Sequence, residues 1–141
     1  LPQDWEGASD TASIAIRNKD IKAVMQADLV LFNFDGVDLD SGTIVEFMIA
    51  KMLDIPVVLL RTDCRNGGYL NGDDWNLMVS GYPRSLIVKH VALVEYNDVG
   101  LAQLHTNIAR SVVEAFEEVY QRSSLFTVPD EILAAYQHVI K

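Results

Sequence analysis

Two short apolar runs constrain this chain more than any other feature. Ala27-Asp28-Leu29-Val30-Leu31-Phe32-Asn33-Phe34 is of strand length and ends at Asp35-Gly36, a turn signal. Ile55-Pro56-Val57-Val58-Leu59-Leu60 is the second, with residues 56–60 as its strand. A strand that is apolar at consecutive positions has no solvated face, so it belongs inside a sheet covered on both sides. Between the runs, Thr43–Leu53 is apolar nearly all round and reads as a buried helix, broken by Asp54-Ile55-Pro56. Strand, helix and strand in that order form a βαβ crossover and predict a parallel sheet in an α/β fold.

The remaining segments fill in a small doubly wound domain, Rossmann-like or flavodoxin-like, with helices on both faces. Residues 1–10 read as a loop. Thr11 to about Gln26 carries the helical stripe Ile14, Ile21, Val24 and Met25. A long loop over 62–74 holds Gly67, Gly68 and Gly72, and a short helix follows at Asn76–Val79. Val91–Tyr96 reads as a third strand. Residues 100–122 form a long amphipathic helix with stripe Leu101, Leu104, Ile108, Val112, Ala115, Phe116 and Val119, and residues 129–140 a last helix. Length and this order predict a single domain over residues 1–141, the C-terminal helices included. Three strands are few for such a sheet, and the chain opens on Leu1 rather than Met. The expectation is therefore that an N-terminal β-α-β portion is missing.

Charge narrows the partners. Lys and Arg number 11 against 20 Asp and Glu, a formal net charge of −9, and the basic residues are scattered. Neither nucleic acid nor an anionic membrane surface is favoured by that balance. No apolar run reaches the length of a membrane span, and these residues show no charged segment followed by an apolar one of the kind that marks a signal peptide. One cysteine, Cys64, excludes an intrachain disulfide framework and fits a reducing, cytoplasmic setting.

Chemistry concentrates after the first strand, where open α/β sheets bind their ligands. Asp35-Gly36-Val37-Asp38-Leu39-Asp40-Ser41-Gly42-Thr43 leads into the helix that carries Glu46, which places four carboxylates within twelve residues. Paired carboxylates with separated pKa values are the equipment of glycosyl transfer: one attacks or stabilises an oxocarbenium-like carbon, another manages the leaving group's proton. Plainer roles compete. Thr43 and Glu46 have the spacing of a capping box, Asp35 that of a turn residue, and Asp38 reads as a solvated loop charge. Asp35, Asp38 and Asp40 could ligate a divalent metal by spacing, but lack the EF-hand pattern. His90, His105 and His138 show no metal spacing, and Cys64 carries no recognisable nucleophile signature. Trp5 and Trp75 flank the site segments and either stack on a base or pack in the core.

The stretch ADLVLFNFDGVDLDSGTIVEFMIAKMLDIPVVLL resembles the nucleoside 2-deoxyribosyltransferase family. Asp40, Gly42 and Glu46 match its Asp-x-Gly-x-x-x-Glu motif, Asp20 stands eight residues before Asp28 as the family's helix acid does, and Asn76-Leu77-Met78 matches its Asn-Leu-Met segment. The likeness runs over about residues 1–80. It implies that Glu46 attacks C1′ of a deoxyribose, while Asp20 and Asp40 bind the nucleobase and handle its proton. It further implies that Asn76 and Met78 lie near a neighbouring subunit's site in a homo-oligomer. Gly42, Asp35 and Gln3 complete the expected substrate-binding set. The implied reaction exchanges a free nucleobase on a deoxynucleoside, without cofactor or metal. The chain departs from the family in lacking a counterpart of its opening strand and in ending on a pair of helices. Two alternatives remain: an N-glycosidase acting on a deoxynucleoside or deoxynucleotide, and a non-catalytic nucleoside-binding protein.

Overall fold

The structure, a computed structural model, describes residues 10–36, 38–64, 76–123 and 134. Within them the two apolar runs become neighbouring parallel strands, β1 at Val30–Asn33 and β2 at Val57–Arg61, and β3 at Ser85–Lys89 adds on the far side of β2. Val30 pairs with Val57 and Val57 with Ser85, and all three strands run the same way. The helices are α1 at Asp10–Met25, α2 at Ser41–Met52, α3 at Ala92–Val99 and α4 at Leu101–Gln121. The doubly wound α/β expectation is met.

Strand alternation sorts the core into two layers. Phe32, Val57 and Leu59 face α1 and α2, where they meet Val24, Phe47, Ile49 and Ala50. Val58 and Val88 face the opposite way and pack against Val112, Ala115 and Val119 of α4. The central β2 is thus apolar on both sides, as its sequence requires. Fully buried Phe47 makes edge-on ring contacts with Phe32, Phe34 and Tyr82, at centroid distances of 6.0, 6.4 and 5.3 Å. Burial of each such ring is worth roughly 1.5–3 kcal/mol. Among the described residues β1 forms one edge of the sheet, and its Leu31 stays exposed.

Several expectations need correction. The third strand is Ser85–Lys89, not Val91–Tyr96, which falls in α3. Val91 to Val94 mimic a buried strand in composition, yet Leu93 and Val94 are exposed. The Glu95 carboxylate accepts the Val91 N–H at 3.2 Å and starts a helical turn instead. In α1, Ile14 lies exposed, and Val24 carries the burial with Ile21 and Met25 beside it. Helix α2 is not buried all round, since Val45 and Met52 are exposed. Leu101 of the α4 stripe is exposed too. The short helix is a single 3-10 turn, Leu77–Val79, with Asn76 as its N-cap. The helix expected over 129–140 lies outside the described residues, apart from helical Ala134.

One buried charge fastens α2 to the segment before β3. The Lys51 ammonium donates to the carbonyls of Pro83 and Arg84 at 2.9 and 3.0 Å. Burial lowers its pKa from the ordinary 10.5 to about 8, against the opposing pull of Asp54.

Candidate active site

The acidic segment begins where β1 ends, and its conformation follows from hydrogen bonds to the end of β2. Asp35 accepts from the Thr62 hydroxyl at 2.7 Å and from the Asp63 N–H at 3.1 Å, and also from the Thr62 N–H. Gly36 adopts φ 135°, a region essentially reserved for glycine, and a Cβ there would lie 3.2 Å from the Asp38 carbonyl oxygen. Both oxygens of Asp35 are therefore employed in holding the loop.

Asp40 sits at the N-cap of α2, with φ −61° and ψ 126°. Its carboxylate accepts from the Thr43 N–H at 2.8 Å and the Thr43 hydroxyl at 2.9 Å. These bonds favour the charged form and hold its pKa below the ordinary carboxylate value. Gly42 leaves room for this cap, because a Cβ would stand 3.1 Å from Asp40 Oδ2. The capping box at Thr43 and Glu46 is thereby overturned. The helix begins two residues earlier, so Asp40 takes the cap and Glu46 is left on the body of the helix.

Freed from capping, Glu46 faces α1. It lines an open cavity of about 470 Å³ together with Gly42, Asp20 and Arg17, with Ile16, Ile21 and Val45 as apolar wall. Burial raises the Glu46 pKa first, and the negative charges of Asp20 and Asp40 raise it further. The structure thus brings three expected acids into one electrostatic neighbourhood. Asp20 and Glu46 share the cavity, and Asp40 acts on it from the helix cap. A carboxylate kept in such a place complements positive charge developing on a bound carbon.

The other expected residues are placed differently. Asp35, Asn76 and Met78 do not line this cavity. Asn76 uses its side-chain oxygen to accept the Met78 N–H at 2.9 Å, and Met78 is 67 % exposed. Gln3, Trp5 and Trp75 lie outside the described residues. Among the described residues no group of three or more His, Cys, Asp or Glu is arranged to hold a metal ion, and no helix is long and apolar enough to cross a membrane.

Two polar clusters escaped the sequence reading. His90 bonds Glu95 through Nδ1 at 2.9 Å and Ser111 through Nε2 at 3.1 Å. Ser111 lies in the middle of α4, where helical N–H groups are consumed within the helix and none is left to stabilise an oxyanion. The trio therefore ties β3, α3 and α4 together. Arg61, 1 % exposed at the end of β2, is the second, and its partners sit in the acidic loop and beside itself. Partners 25 to 27 residues apart leave no local pattern to find.

A family model described as nucleoside 2-deoxyribosyltransferase matches residues 1–86. No curated protein and no solved structure matches the chain.

Proposed function

The chain belongs to the nucleoside 2-deoxyribosyltransferase family, and on that premise we propose that it moves 2-deoxyribose from one nucleobase to another. One observation carries the reading: Glu46 lines a cavity shared with Asp20 while Asp40 bears on it electrostatically. In the first half-reaction a Glu46 carboxylate oxygen bonds to C1′ as the C1′–N bond breaks. The leaving base takes its electron pair and a proton managed through Asp20 or Asp40. A second base then attacks C1′ from the opposite face and releases Glu46, so that configuration is retained. Asp40, kept ionised by Thr43, serves best as an acceptor that orients the base. Gly42 shapes the cavity floor, and Asp35 contributes through the loop that it holds. Asn76 and exposed Met78 are assigned to a neighbouring subunit's site in a homo-oligomer, and Gln3 to the base. Negative charge at Asp40 disfavours a 5′-phosphate, which directs the proposal to nucleosides.

The raised carboxyl of Glu46 supports a second reading. Burial and neighbouring negative charge favour the protonated form of Glu46, the direction in which a general acid is tuned, and such an acid beside the Asp40 carboxylate suits hydrolysis of the same bond. Incubation with a deoxynucleoside and a different free base separates the two. Exchange predicts a new deoxynucleoside that Glu46→Ala no longer forms. Free deoxyribose with no exchanged product, whatever base is added, assigns the hydrolase instead.

A further inference from the structure

We propose that Arg61 and Asp63 are positioning residues, gripping the backbone N–H and carbonyl of Gly36 so that the acidic loop delivers Asp40 to one place at the start of α2. The inference rests on the transferase reading for its consequence and on geometry alone for its mechanism. The Gly36 N–H donates to Asp63 Oδ2 at 2.6 Å, and the Gly36 carbonyl accepts from Arg61 Nη2 at 3.0 Å. Arg61 Nε in turn donates to Asp63 Oδ1 at 2.9 Å, which closes the pair upon itself. The two peptide units that flank the Gly36 Cα are thus held by a single ion pair, one through its N–H and the other through its carbonyl.

The chemistry of the pair fits positioning better than stability. A buried ion pair contributes little net stability once desolvation is counted. The guanidinium, however, is a planar fork that serves two acceptors in fixed directions, which an ammonium on a flexible stem does not. The glycine is suited to being held, because its φ of 135° strains any other residue and a Cβ there would press on the Asp38 carbonyl oxygen at 3.2 Å. Four residues further along stands Asp40, whose carboxylate must reach both the Thr43 N–H and hydroxyl. Asp35, bonded to Thr62 and Asp63, fastens the same loop from the β1 side. The carboxyl ends of β1 and β2 are therefore sewn together at the point where the acidic loop departs.

The test uses the full chain with Arg61→Lys, which keeps the charge and loses the fork, and the milder Asp63→Asn. Displacement of a reacting group by about 1 Å costs on the order of 100-fold in rate. Each variant is therefore expected to lose about 10- to 100-fold in kcat, with KM changed less than about 3-fold. In an Asp40→Asn background Arg61→Lys should add little further loss. Wild-type kcat in Arg61→Lys, or the same fold-loss in both backgrounds, overturns the proposal. Two NMR measurements read the same device without activity. Gly36 amide exchange should speed up, and the Asp40 carboxyl titration should rise to its ordinary value; both unchanged in a folded Arg61→Lys or Asp63→Asn protein overturn it. Absence of base exchange in the wild type refutes the transferase reading alone, and the NMR result then decides the positioning.

Discussion

Replacing Glu46 by Gln should make the protein more stable while removing its activity. Glu46 is held partly buried beside two like charges, Asp20 and Asp40, an arrangement that opposes its ionised form. Glutamine keeps the shape and removes the charge. Surface like-charge pairs each oppose folding by a few tenths of a kcal/mol, and solvent screens a half-buried group. The gain is therefore on the order of 1 kcal/mol or less, a rise in Tm of roughly 2–4 °C for a chain of this size. Its pH dependence has a definite sign. A carboxyl whose folded pKa is raised binds more protons folded than unfolded, so wild-type stability falls as pH climbs from the ordinary 4.5 through the raised value. The advantage of Glu46→Gln should thus be full at neutral pH and fade toward pH 4. Urea denaturation at low salt, repeated at several pH values, measures it, and added salt should shrink it. Base exchange should fall by at least about 1000-fold. A variant less stable than wild type at neutral pH, or one that still exchanges bases, refutes the reasoning.

Three other outcomes follow from the same contacts. Asp20→Asn removes one repelling charge, so the Glu46 carboxyl titration and the acidic limb of the exchange activity should both move to lower pH. Phe47→Ala empties the aromatic cluster that joins α2 to β1 and should destabilise the protein by about 3–5 kcal/mol, read as a lower urea midpoint. Lys51 releases its proton at about 8 when folded but near 10.5 when unfolded, so stability should rise with pH across that window, and Lys51→Met should flatten the rise.

Much of this molecule was legible in its sequence because its central strand, β2, is apolar on both faces and an apolar run precedes it across a helix. The runs that became β1 and β2 could hardly be anything else once a helix lay between them. Strand β3 was not legible, because its ends are Ser85 and Lys89 while the more apolar Val91–Val94 lies next door. What decides between them is tertiary: Leu86 and Val88 find α4, whereas Leu93 and Val94 find solvent. The site divides in the same way. Asp20, Asp40 and Glu46 were singled out by motif spacing, and two of them share a cavity. The capping box weighed for Thr43 and Glu46 fails, because Thr43-Ile44-Val45-Glu46 imitates a cap signature two residues inside the true helix start and Asp40 is the N-cap. The Arg61, Asp63 and Gly36 grip joins loops far apart in the chain, so only the fold reveals it.

The central claim is a covalent bond between Glu46 and C1′, and it can be read directly. A 2-fluoro-substituted deoxynucleoside destabilises the oxocarbenium-like transition state and slows breakdown of any glycosyl ester. Mass spectrometry of protein treated with that compound should find one added fluorodeoxyribosyl group, on the peptide that contains Glu46, discharged when a free base is supplied. Base exchange that proceeds while the label stays absent, or settles on another residue, would contradict the account.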